Sequence, residues 1–127
     1  MGTRSTVKFF SEWNDQPLLS VYQQYDGYID GVGHELANFL LDKKVINGIG
    51  SGQNMEGGYA NGMGCLAAQY VAGHKTEIGG FYMTTADDEQ EYNYEVRLVK
   101  DQLIIKVDKF EGTPQELLEY EEPEEEY

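Results

Sequence analysis

The sequence predicts a single α+β domain: an antiparallel sheet of about five strands with two helices, in the order ββααβββ. Three patterns carry that prediction. Tyr92, Tyr94, Val96 and Leu98 alternate with polar residues, and Leu103, Ile105 and Val107 continue the two-residue period. Leu36, Phe39 and Leu40 recur at helical spacing, as do Met63, Ala67 and Tyr70. Val7, Phe9 and Trp13 share one strand parity and lead into Asn14–Asp15–Gln16–Pro17, a run with turn chemistry.

In chain order, the first hairpin returns through Leu19, Val21 and Tyr25 on one face, with Leu18 and Tyr22 on the other. Apolar residues on both parities suit a central strand or a face shared with another subunit. Asp26–Gly27 turns the chain, and Asp30–Gly31–Val32–Gly33 leads into the first helix, with Asp30 as N-cap or first-turn acid. Residues 48–80 hold 10 of the 15 glycines. A loop is expected at Gly48–Gln53 and a second helix over about 61–74. Its glycines cost roughly 1 kcal/mol each unless packing offsets them. Strands are expected at about 77–84, 91–100 and 103–110. Thr113, Pro114 and Glu116 form a capping signature for one or two helical turns, with Leu117 and Leu118 to dock them.

Charge bounds function. The chain has 127 residues, 9 basic and 23 acidic, with a formal net charge of −14. The excess is concentrated after residue 80, and the last 17 residues carry eight glutamates and no lysine or arginine. The domain is therefore placed at 1–120 and an acidic, flexible tail at 121–127. Attraction to nucleic acid or an anionic membrane is disfavoured, whereas a basic protein surface is a natural partner. The one cysteine, Cys65, excludes an internal disulfide and a four-cysteine zinc site, and fits a reducing cytoplasmic setting. There is no basic-then-apolar leader and no apolar run near 18 residues, so neither secretion nor a membrane span is expected.

The segment Val21–Gly33, VYQQYDGYIDGVG, is an aromatic strand running into D-G-Y, two residues, G-V-G and a helix. Together with Leu36–Leu41, Gly62–Tyr70 and Glu91–Val96 it resembles small proteins encoded by bacteriophages and prophages. The resemblance spans residues 3 to about 118. It implies takeover of the host or evasion of bacterial defence, with inhibitors of CRISPR effectors and sponges for nucleotide immune signals among such proteins. It carries no catalytic residues onto this chain.

The candidate sites follow from side-chain chemistry. Tyr82, Tyr92 and Tyr94, taken to lie on adjacent strands, would form a contact patch with Glu91 and Glu95 on its rim. A half-exposed sheet face accounts for the same residues without a partner. A ligand-binding alternative uses Tyr25, Asp26, Tyr28 and Asp30 with the loop glycines Gly48, Gly50 and Gly52. Turn formation and packing of the tyrosines over the exit of a sheet are sufficient to explain the first four and are the preferred reading. The glycine loop is no Walker motif, because no Gly-Lys-Ser/Thr follows, and Gln53 breaks the dinucleotide fingerprint. No cofactor and no metal are expected, since the two histidines lack ligand spacing. A small enzyme would need a cleft joining His34 or His74 to an acid. The leading expectation is a noncatalytic acidic binding protein, an inhibitor of a host or CRISPR-type defence protein. A nucleotide sponge is the alternative, and a two-fold homodimer is compatible with either.

Overall fold

The computed structural model describes residues 2–46 and 58–121. Its strands are β1 (Ser5–Phe10), β2 (Pro17–Gln23), β3 (Lys44–Ile46), β4 (Tyr59–Asn61), β5 (Phe81–Met83), β6 (Tyr92–Val99), β7 (Gln102–Val107) and β8 (Phe110–Gly112). The helices are α1 (His34–Leu41), α2 (Gly62–His74) and α3 (Pro114–Glu119). The main sheet has six strands in the order β5-β2-β1-β6-β7-β8, and β3 and β4 form a separate parallel pair.

This corrects the expected five-stranded antiparallel sheet with two helices. The described residues form eight strands in two sheets and three α-helices, and the main sheet is mixed. β1 and β6 run parallel, Val7 opposite Tyr94 and Phe9 opposite Val96, while the other neighbours in that sheet are antiparallel. Side-chain parity reports which residues share a face; it does not report strand direction or neighbour. The three-residue strands β3, β4, β5 and β8 are too short for a period to show.

All three helices lie on one face. Val7, Phe9, Val21, Tyr94, Val96, Ile105 and Val107 meet Leu36, Ala37 and Leu40 of α1, Met63, Leu66, Ala67 and Tyr70 of α2, and Leu117 of α3 in one core. α3 begins with a complete capping box: Thr113 Oγ1 accepts from Glu116 N–H at 3.2 Å, and Glu116 Oε1 accepts from Thr113 N–H at 2.9 Å. α2 is capped from outside its own segment, because Glu12 Oε2 accepts from Met63 N–H at 3.0 Å. α1 follows a π-helical turn, Ile29–Gly33, with no side-chain cap at either element, so Asp30 supplies first-turn charge but is not an N-cap. That turn lies close to β6: a Cβ on Gly33 would sit 3.1 Å from the Tyr94 hydroxyl.

The face away from the helices is partly closed by the connection between β5 and β6. Lys8 is buried there and its Nζ donates to the Asp88 carbonyl at 2.8 Å. Thr6 Oγ1 donates to Asn93 Oδ1 at 2.7 Å, and Asn93 Nδ2 donates to the Gln90 carbonyl at 2.8 Å. Nearby, Arg97 lies 3.7 Å from the centre of the Phe10 ring and bonds Asp15 at 2.8 Å and Glu95 at 2.6 Å. Burial disfavours its charge, but the two carboxylates prevail and hold its pKa above the ordinary arginine value. The expected 121–127 tail falls almost wholly outside the described residues; Glu121 is exposed.

Candidate functional site

The residues of the two candidate sets are redistributed by strand order. β5 and β6 are not adjacent, because β2 and β1 lie between them. Three strand spacings, about 14 Å, therefore separate Tyr82 from β6. Tyr94 is 0% exposed and its hydroxyl donates to the Gly27 carbonyl at 2.7 Å, so it belongs to the core and not to a contact surface. Tyr92 is half-buried against the core, with its ring stacked 6.5 Å from that of Tyr94. Glu95 points to the opposite face and is held by Arg97. Of the expected patch, Tyr82 and Glu91 remain exposed.

Glu91 meets a residue from the other set, Tyr25, at one end of the sheet, while Tyr82 lies beside Tyr22 on the edge strand. The register places Gln23 beside Phe81, Ser5 beside Gln23, and Tyr92 beside Ser5. The residues just outside these rungs, Gly80, Gln24, Arg4 and Glu91, therefore form a row across four strand ends. Gln24 N–H donates to the Gly80 carbonyl at 3.0 Å, and Arg4 N–H donates to Glu91 Oε1 at 3.4 Å. Gly2, Arg4, Gln24, Tyr25 and Glu91 line a cleft of about 440 Å³.

Tyr25 is 56% exposed and forms one wall of that cleft. Its ring lies against Gly2, where a Cβ would approach to 2.7 Å, and faces Gly80 at 3.9 Å by the same measure. Tyr82, 45% exposed, stands on the other side of the Gly79–Gly80 turn, its hydroxyl 3.2 Å from where a Gly79 Cβ would be. Both glycines have positive φ, the left-handed conformation that glycine adopts without steric cost. Lys75 Nζ lies 5.3 Å from the Tyr82 ring centre and donates to the Phe81 carbonyl at 2.8 Å. Lys75 follows α2, and its ammonium group lies beside the edge strand β5, where a charge opposes uncontrolled strand pairing. Ile78 and Met83, both exposed, extend the apolar surface, and Glu77 and Glu91 supply its acids.

The remainder of the ligand-binding set divides. Asp26 and Tyr28 close their own turn: Tyr28 hydroxyl donates to Asp26 Oδ1 at 3.1 Å, and Val32 N–H donates to the Asp26 carbonyl at 2.7 Å. The hydrogen bond to Asp26, reinforced by that carboxylate's charge, holds the Tyr28 phenol above its ordinary pKa. Asp30 lies elsewhere, in a cleft of about 490 Å³ with His34, Glu119 and Glu121. Gly48, Gly50 and Gly52 lie outside the described residues.

Both histidines are thus placed near acids. His74 Nε2 is 3.4 Å from Glu35, and its Nδ1 donates to the Tyr70 carbonyl at 2.7 Å. Its ring packs between Phe39 and Tyr70, so the pair joins α1 to α2 as part of the packing. Among the described residues, no group of three or more histidine, cysteine or acidic side chains is arranged to hold a metal ion. Nor, among them, is any helix long and apolar enough to cross a membrane.

Sequence reasoning missed Gly2, Arg4 and Gln24. Arg4 and Glu91 are 87 positions apart, and no local period relates them. Comparison with protein-family models, with curated proteins and with solved structures finds no match.

Proposed function

We propose that the chain is a noncatalytic binding protein that engages a protein partner through the sheet end bearing Tyr25, Tyr82 and Glu91. The observation that carries this reading is the pair of exposed tyrosines flanking one glycine turn beside an open cleft. Tyrosine supplies broad contact area at low entropic cost and is frequent among residues that dominate binding energy. Glu77 and Glu91, on a chain of net charge −14, favour a partner with a basic surface and speed its approach. The resemblance to phage-encoded proteins supports a host or bacterial-defence protein as that partner.

A second reading has one observation in its favour. The cleft joins the flat face of Tyr25 to the cation of Arg4, a combination suited to a base and a phosphate. This is the nucleotide sponge, with its centre moved from the glycine loop to the sheet end.

The test captures partners from bacterial lysate on the wild-type protein, identifies them, and measures each purified partner by surface plasmon resonance. Y25A and Y82A are each expected to weaken binding about 30-fold, the equivalent of ~2 kcal/mol. E91K should mainly slow association, and Y28A should bind as wild type. Binding unaffected by both Y25A and Y82A would overturn the assignment. A nucleotide retained by the native protein and lost in R4A would establish the sponge instead.

A further inference from the structure

The cleft at the sheet end sets an aromatic face beside a carboxylate. Tyr25 stands just beyond β2 and Glu91 just before β6, and the chain that enters β1, with Gly2 and Arg4, runs between them. Arg4 N–H, donating to Glu91 Oε1 at 3.4 Å, holds the acid over that middle strand. The carboxylate therefore lies about one strand spacing, ~4.8 Å, from the strand that leads to Tyr25. Gly2 puts no side chain into the gap; a Cβ there would meet the Tyr25 ring at 2.7 Å. Among the described residues, no cation is paired with Glu91 and none is stacked on Tyr25. Elsewhere on the same sheet, the same two kinds of group do hold a cation. The Arg97 guanidinium lies 3.7 Å from the centre of the Phe10 ring while it bonds the carboxylates of Asp15 and Glu95. The sheet end repeats the ring and the carboxylate and leaves both open to solvent.

We propose that this cleft takes an arginine side chain of the partner, its guanidinium stacked on the Tyr25 ring and bonded to Glu91. This contact belongs to the sheet-end partner site described above and rests on that reading. Side-chain chemistry selects arginine over lysine. A guanidinium is planar, so it lies flat on a ring while its edge presents N–H groups to a carboxylate. An ammonium is a compact, strongly hydrated point charge with no flat face to stack. Tyr25 is 56% exposed, so its ring is available to a group from outside the chain. A net charge of −14 draws a cation toward the cleft and repels an acidic ligand. Arg4 also lines the cleft and is exposed, and its charge opposes a second cation. Arg4 thus separates the two ligand chemistries: it weakens the hold on an arginine and would strengthen the hold on a phosphate.

The probe is a blocked tripeptide, acetyl-glycyl-arginyl-glycine amide, titrated into isotope-labelled protein and followed by NMR. Saturable shifts are expected at the amides of Tyr25, Gly80 and Glu91. The lysine counterpart should bind about fivefold more weakly. Y25A should weaken the arginine probe about fivefold, whereas Y25F, which keeps the ring face, should bind as wild type. E91Q should also weaken it about fivefold, and R4A should tighten it about twofold. Both Tyr25 and Glu91 are exposed, so circular dichroism should be unchanged in their variants. No localised shift at about 10 mM peptide overturns the proposal, that being ten times the concentration at which a contact of about 4 kcal/mol half-saturates. So does a lysine probe bound as well as arginine, a Y25A that binds as wild type, or an R4A that weakens binding. A captured partner that depends on Tyr25 and Tyr82, with no arginine probe bound, overturns the arginine contact alone. An arginine probe bound here, with a captured partner indifferent to both tyrosines, supports the arginine site and overturns the partner reading.

Discussion

Replacing Tyr94 with phenylalanine removes a buried hydrogen bond. The ring stays, and so does its packing in the core; only the hydroxyl that donates to the Gly27 carbonyl at 2.7 Å is lost. Gly27 is buried, so its carbonyl cannot readily turn to water. A net hydrogen bond contributes about 0.5–1.5 kcal/mol, and leaving a buried partner unsatisfied raises the loss to about 1–3 kcal/mol. Both ends of this bond are buried, which places Y94F in the upper half of that range, about 1.5–3 kcal/mol. At roughly 4 °C per kcal/mol for a domain of this size, Tm should fall by about 6–12 °C. Y94A adds a cavity and should cost more, about 3–5 kcal/mol. The assay is urea denaturation followed by circular dichroism, with the m-value checked for constancy. A Y94F unfolding free energy within about 0.5 kcal/mol of wild type would refute the reasoning, since that is the range of ordinary surface substitutions. Y94F should also bind any partner as wild type does, because the residue is part of the core.

Two further outcomes are expected. Removing the α3 cap with T113A should cost about 1 kcal/mol, and T113S should restore most of it, because either hydroxyl accepts the Glu116 N–H; urea denaturation measures both. Tyr70 governs stability at alkaline pH. Its burial raises the phenol pKa well above the ordinary 10.0, the amide of Gln23 opposes that shift by donating at 2.7 Å, and the charge of Glu35 adds to it. The fold therefore favours the neutral phenol, so this stabilisation is complete below about pH 10 and is lost as pH rises above it. Stability measured from pH 8 upward should fall less steeply in Y70F than in wild type above that point; parallel curves would contradict the assignment.

Sequence pattern and tertiary structure account for different parts of this protein. Periodicity located β1, β2, β6, β7, α1 and α2 to within a few residues, because alternation and helical spacing are local consequences of burying one face. The Thr113–Glu116 cap was legible for the same reason, since all its atoms lie within four residues. The parallel pairing of β1 with β6 was not legible, because neighbour and direction depend on contacts nearly ninety positions apart. Tyr92 and Tyr94 show the limit clearly. Their spacing says that they share a face, but only the layer of helices decides that this face is the core. Tyr25, Arg4, Gly80 and Glu91 illustrate the converse. Each lies just beyond a different strand or at its end, and nothing in their local sequences relates them. Sheet register alone sets those four ends side by side, because hydrogen bonding between strands fixes which residues stand abreast.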